Sequence, residues 1–550
     1  MLRTTITAVI IAIFLFFTSA YIALRMGALP WPIIFSIITS AGILKLTGKF
    51  NSHDVNIAQA GGSIGGLMAA AVVFTLPGLM LTQPDQVSLL WLTLLAAAGA
   101  ALGIGLSIPL REEYVIRQNL AFPAGRAGGE IIKAGFDGDQ RFKYIIIFGV
   151  GAALFTLVRD ALGWEFISLG VVSGIPVLLL IMPMVIGTGL ILGPANSLSW
   201  GAGGVLALTG LFLIPWLWPE FDTDPNLLLQ NIGMGLVIGS GIGYIIFHSR
   251  LKGGFRGIWL QQQSLTWAIA LMNLIILVLA GVPFWAALLG IVFTFLVVNL
   301  ASRMTGVTNI DPLEQFGLLA TLLIVFIYGL VQLDIPLQAR YLLTFSVAMA
   351  AAVAGDIGHD YRSAEVVGTD FRKIIKTDLL AVLAVSIAVP FMLIIMRNLE
   401  ITGELFTFRF PAPQAQIVMN NLQGLAHPLP FLSGVTIAII IEGIRFKNKL
   451  TFIHLMPLGI GLFLGINLAF LIAIGGLIAI RVNKGGSAAT LTGIVIAAAI
   501  LGGEGTIGFL QAVANIFFPA QKTLILGGLG LILIAVLTRS LQTFFNGHDK

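Results

Sequence analysis

Apolar runs of about 18 to 22 residues follow one another along the whole of this chain, each long enough to cross a hydrocarbon core as an α-helix. They leave no stretch for a soluble domain. Of the 550 residues, 57% are hydrophobic and 10% are charged, too little polar material to cover a water-soluble surface of this size. The chain reads as an all-α polytopic membrane protein: one transmembrane domain over 1–550, with about 14 to 17 transmembrane or re-entrant helices. Spans are expected near 5–24, 28–47, 57–81, 87–108, 143–162, 166–191, 199–218, 227–247, 264–281, 283–301, 312–333, 340–354, 377–396, 430–444 and 521–541, with interrupted segments at 451–480 and 487–518. Met1 to Tyr21 is read as the first span and not as a cleaved signal.

Basic residues collect at alternate span ends. Lys45 and Lys49 follow the second span, Arg111, Arg117, Arg126, Lys133 and Arg141 fill the loop 109–142 with Lys143 just beyond it, and Arg250, Lys252 and Arg256 follow the eighth. The intervening connections, 82–86 and 219–224, carry no base. Short cytoplasmic loops hold the lysines and arginines, so the N-terminus is expected in the cytoplasm of a cell with this chain in its inner or plasma membrane. The net charge of +5 thus reports orientation in a lipid bilayer, not nucleic-acid binding. With no cysteine, disulfides and thiolate ligands are excluded.

Met182-Pro183, Gly187 and Gly203-Gly204 find an echo in Met456-Pro457, Gly461 and Gly475-Gly476, displaced by 272 to 274 residues. Duplication would make related halves of 1–263 and 264–550. Chance recurrence of glycine and proline is the alternative.

Polar residues inside apolar runs mark candidate sites. Asn56 to Gly78 opens with Asn56, Gln59 and Ser63 among Gly61, Gly62, Gly65 and Gly66, which allow close packing or unwinding. Gly502-Gly-Glu-Gly505 sets Glu504 between two apolar stretches, where glycines could break the helix and present the carboxylate to a cavity; solvation at an interface is the other reading. Asn309, Asp311 and Glu314 open the 312–333 span, as substrate-facing groups or as helix caps. The candidate substrate-binding set is Asn56, Gln59, Ser63, Asn309, Gly503 and Glu504, and the proton-coupling candidates are Glu504, Asp311 and Glu314. Asp356, His359 and Asp360 could share a helix face as a metal site, but a solvated exit turn after the 340–354 span is favoured. The Gly-rich part of loop 109–142 is expected to fold back on the bundle. Neither a Walker A loop nor a His-Glu-x-x-His pair occurs, so neither ATP-driven transport nor zinc-protease chemistry is expected. The chain is read as a non-enzyme without cofactor or metal.

Several segments resemble the oligopeptide transporter (OPT) family, including its yellow stripe-like branch. Asn56-Ile-Ala-Gln59 with Ala60-Gly-Gly-Ser-Ile-Gly-Gly66 and Val73-Phe-Thr-Leu-Pro77 is similar to the family's third-span signature. Leu120-Ala-Phe-Pro-Ala-Gly125, Glu130 and Lys133-Ala-Gly135 resemble its cytoplasmic loop, and Gly355-Asp356, Tyr361, Gly368 and Arg372 a later one. Pro457-Leu-Gly-Ile-Gly-Leu-Phe-Leu464, Gly475-Gly476 and Gly502-Gly-Glu-Gly505 complete the series in order. Ala121 and His359-Asp360 depart from the family pattern. The resemblance implies a secondary carrier, proton-coupled, moving small oligopeptides or peptide-like compounds; metal-chelate complexes are the alternative substrate. A channel or an intramembrane enzyme fits less well. Expected partners are the small-molecule substrate and the bilayer, no nucleic acid, with self-association left open.

Overall fold

Backbone groups that meet no water must find their hydrogen bonds inside the segment, so runs of Leu, Ile, Ala and Phe become helices. The computed structural model describes residues 1–26, 33–86, 88–134, 141–217, 224–248, 264–308, 313–407, 410–424, 428–448 and 454–546. The helices are α1 Leu2–Met26, α2 Ile33–Thr47, α3 Ser52–Thr75, α4 Pro77–Thr82, α5 Leu89–Leu110, α6 Pro123–Ala134, α7 Arg141–Leu162, α8 Pro183–Leu192, α9 Pro194–Leu217 and α10 Pro225–His248. They continue as α11 Ser264–Leu279, α12 Phe284–Thr308, α13 Leu313–Leu330, α14 Leu337–Val367, α15 Phe371–Ile401, α16 Pro413–Gln423, α17 Pro428–Asn448, α18 Leu455–Leu464, α19 Ile466–Asn483, α20 Gly486–Phe517 and α21 Lys522–Asn546. Among the described residues, 13 helical segments are long and apolar enough to cross a membrane. The all-α polytopic architecture is therefore as expected.

The chain forms two compact units, one of Met1–Gly138 with Leu251–Gly424, the other of Asp139–Arg250 with Leu425–Lys550. In the first, α14 is enclosed along its length and α3 nearly so. The glycines of α3 serve contact, not unwinding. A Cβ at Gly65 would stand 1.8 Å from the Ala12 carbonyl oxygen of α1, so the two backbones touch and the helix stays whole from Ser52 to Thr75. Small residues at such crossings replace the hydrophobic drive that is missing between helices in lipid. As expected, the Gly-rich part of loop 109–142 folds back: α6 lies on α14, with Phe122 buried and the Gly125 N–H 3.2 Å from His359 Nδ1.

In the second unit, two broken helices recur. Each begins with a helix of 10 residues, α8 or α18, and turns at a glycine of positive φ, Gly193 (80°) or Gly465 (74°). Each then continues into a longer helix, α9 or α19. Their contacts are reciprocal. A Cβ at Gly189 would meet Ile472 O at 2.1 Å, and one at Gly461 would meet Trp200 O at 2.0 Å; Gly203 faces Leu458 O at 2.0 Å, and Gly475 faces Ile186 O at 2.1 Å. Every number in one contact of each couple maps onto the other by 272 residues: 189 to 461, 203 to 475, 200 to 472 and 186 to 458. On this register Gly187 pairs with Gly459, not with Gly461 as the Met-Pro alignment has it.

Three expected spans differ. Residues 166–191 are not one helix: β1 (Phe166–Val172) and β2 (Ile175–Leu180) form an antiparallel hairpin, with α8 after it. The turn is Ser173-Gly174, both at positive φ, as a two-residue hairpin turn requires. Asn467 secures β2, accepting from the Leu178 N–H at 2.9 Å and donating to the Pro176 carbonyl at 3.1 Å. The 340–354 span runs on to Val367, because Asp356, His359 and Asp360 are enclosed by neighbouring helices. The 487–518 segment is a single helix, α20, whose glycines at 502–505 do not break it. Gly503 instead abuts the Gly149 backbone of α7.

Candidate functional site

Each unit encloses its own polar constellation. In the first, spacings of three and four residues place Asn56, Gln59 and Ser63 on one face of α3, opposite Asp356, Asp360 and Ser363 of α14. The helices run antiparallel there. Gln59 Nε2 donates to Asp360 Oδ1 at 2.7 Å and the Ser363 hydroxyl to Asn56 Oδ1 at 2.8 Å. Asn56 Nδ2 donates to Thr369 Oγ1 at 3.1 Å. Ser63 donates to the Ala60 carbonyl at 2.8 Å and lies beside Asp356. From α15, Asp378 comes within electrostatic range of both Asp356 and Asp360. From α5, the Ser107 and Tyr361 hydroxyls bond at 2.9 Å.

Asp356, Asp360 and Asp378 have no solvent exposure, and none of the ion pairs among the described residues reaches them. Among the described residues, both carboxyl oxygens of Asp356 and Asp378, Asp360 Oδ2 and Gln59 Oε1 are buried without a hydrogen-bond partner. Unpaired buried charge costs several kcal/mol per ion. Such groups in a membrane protein mark ion or proton pathways.

In the second constellation the carboxylate is matched, although Arg159 Nη2 is buried without a partner among the described residues. Glu504 of α20 is fully buried and pairs through Oε1 with Arg159 Nη1 of α7, while its Oε2 accepts the Met184 N–H at 2.8 Å. Arg159 also donates to Asp160 Oδ1 at 2.7 Å and to the Ile181 carbonyl at 3.0 Å. The carboxylate thus sits at the N-terminus of α8, where the helix dipole favours negative charge, with a guanidinium as its counter-ion. The solvated-interface alternative and the broken-helix setting both fail for Glu504, since α7 and α8 cover it. The pair ties three helical elements together.

The expected substrate residues therefore fall in two units: Asn56, Gln59 and Ser63 in the first, Gly503 and Glu504 in the second. Asn309 and Asp311 lie outside the described residues; Glu314 is in the first turn of α13, and its side chain is likewise outside them. The reading of Asp356, His359 and Asp360 as a solvated exit turn is overturned by their burial, and Asp378 went unremarked in an apolar span. One signal was available: Asp356, Asp360 and Ser363 recur at spacings of four and three, as Asn56, Gln59 and Ser63 do at three and four.

A many-helix membrane bundle with enclosed carboxylates and paired broken helices has the architecture of a membrane transporter. A family model described as OPT oligopeptide transporter protein matches residues 2–249 and 260–515. The chain belongs to the OPT oligopeptide transporter family, whose members are transporters and not enzymes. It is also similar to a Haemophilus influenzae protein named "Putative oligopeptide transporter", 32% identical over 196 residues. That match spans 35% of this chain and 30% of the relative's length.

Proposed function

We propose that this chain is a secondary active transporter that carries small oligopeptides or peptide-like compounds inward across the cell membrane by proton symport, with its N-terminus in the cytoplasm. The observation that carries the reading is the pair of broken helices, α8–α9 and α18–α19. Discontinuous helices that recur in an internal repeat are a recurrent design of ion-coupled carriers, because unwound backbone near mid-membrane can meet polar cargo without facing lipid. The 272-residue correspondence of their contacts supports duplication, with halves at 1–263 and 264–550. The oligopeptide class rests on the family and on the named relative.

Uptake of labelled tri- to pentapeptides into proteoliposomes tests this, with and without an inward proton gradient. Saturable accumulation that the gradient drives is expected. Non-saturating, gradient-independent flux would replace the carrier by a channel. Flux of iron or nickel chelates without flux of peptides would move the substrate to metal chelates. A reporter fused after Asp222 that is active in the cytoplasm would overturn the orientation.

A further inference from the structure

The first unit gathers one amide and three carboxyl groups from three helices: Gln59 from α3, Asp356 and Asp360 from α14, and Asp378 from α15. Among the described residues, six oxygens of these groups are buried with no donor in bonding geometry, although the Ser63 hydroxyl lies beside Asp356. Carboxylate and amide oxygens only accept, so they cannot satisfy one another. A proton on a carboxyl changes that, because it turns an acceptor into an O–H donor for its neighbour. Gln59 makes the same demand without being acidic. Its Nε2 is held by Asp360 at 2.7 Å, which leaves Oε1 of the same buried amide needing a donor. Among the described residues no three His, Cys, Asp or Glu side chains converge as ligands for a metal ion. The occupant whose chemistry fits is the proton.

A hydrogen-bonded polar chain lies beside this locus, ending on the main-chain carbonyl of Asp360. Ser363, one turn from Asp360, donates to the Asp360 carbonyl at 2.9 Å and to Asn56 Oδ1 at 2.8 Å. Asn56 donates to Thr369 Oγ1 at 3.1 Å, and that hydroxyl lies 3.2 Å from Nδ1 of His53, which is exposed in the first turn of α3. Tyr361 is within electrostatic range of Asp360, Asp378 and Arg111. Arg111 itself stacks on Phe371 of α15 at 4.3 Å and pairs with Glu365 at 3.3 Å. His359, on α14, meets the Gly125 N–H of α6. From α12, Ser302 donates to the Ala354 carbonyl at 3.0 Å.

We propose that Asp356, Asp360 and Asp378, with Gln59, form the proton site that couples transport. The inference rests on the proton-symport reading above. Loading adds one proton to a carboxylate oxygen and release returns it; no bond between heavy atoms changes. Glu504, already matched by Arg159 and the Met184 N–H, has no such vacancy to fill.

Two measurements test it. The infrared difference spectrum between the wild-type protein and Asp356→Asn/Asp360→Asn/Asp378→Asn, both at neutral pH, should contain the carbonyl band of a protonated carboxyl; its absence would overturn the proposal. In proteoliposomes, Asp360→Asn and Asp378→Asn should lose proton-driven peptide accumulation yet keep peptide counterflow exchange, which also shows that the variants fold and bind. Accumulation at the wild-type level in both would sink the site while leaving proton symport intact. Wild-type transport driven by a sodium gradient and indifferent to protons would instead sink the symport reading, and the site with it.

Discussion

Two buried acidic loci, built in the same chain and equally sealed from solvent, are completed in opposite ways. Around Glu504, each carboxylate oxygen has its donor, Arg159 on one side and the Met184 N–H on the other. Around Asp356, Asp360 and Asp378, five carboxyl oxygens have none. A matched pair resists change, since removing either partner strands a charge in a low-dielectric interior. An unmatched cluster instead gains from neutralisation, because it sheds a charge that has no partner in the interior. Burial alone thus does not mark a working carboxylate in a membrane. What distinguishes it is burial without a counter-charge.

The comparison can be broken most forcefully at Arg159. Arg159→Met should destabilise the protein by about 3–5 kcal/mol, because Glu504 is left charged and unpaired. Arg159→Met/Glu504→Met should recover most of that loss. Thermal unfolding of the detergent-solubilised protein measures both, and a double variant no more stable than the single one would show that the pair is not the source. Next in size is Gly65→Val in the first unit. Its side chain would collide with the Ala12 carbonyl, which as backbone cannot yield, and overpacking of this kind costs about 1–3 kcal/mol. The same unfolding experiment reads it.

Asp378→Asn sharpens the contrast from the other side. With no ion pair to break, its stability should stay within about 1 kcal/mol of wild type, or rise, since the amide adds donors where only acceptors stood. A loss comparable to that of Arg159→Met would mean that Asp378 has a structural partner after all. The smallest effect belongs to the exposed pair Arg126–Glu130, at 3.1 Å on α6. Glu130→Ala should change stability by less than about 0.5 kcal/mol, and high salt should erase the difference.

Much of this architecture is legible in the residue order. Apolar runs of membrane length, basic residues at alternate ends and the glycine-rich opening of α3 each follow from how a bilayer treats backbone and charge. The recurrence of Gly203-Gly204 in Gly475-Gly476 was visible too, although only the contacts fixed its register. The errors share one cause. A hydropathy reading ends a span at its first cluster of charges, which places the end of α14 at 354 and its aspartates in water, whereas helix packing keeps these buried. By the same logic, glycines beside Glu504 were read as a break, whereas Gly503 makes room for the Gly149 backbone. The hairpin at 166–180 escaped because Ile, Val and Leu populate membrane helices and strands alike, and the Ser173-Gly174 turn is brief.

By itself the sequence determined that the chain crosses a membrane many times as helices, that it carries no cysteine chemistry, and which polar residues lie within or beside its spans. Those properties depend on the solvent and on neighbours a few residues away. Only the tertiary structure decided which carboxylates are matched. Arg159 lies 345 residues from Glu504 and Gln59 lies 301 from Asp360, so each acid's electrostatic fate is set by packing between helices far apart in the chain.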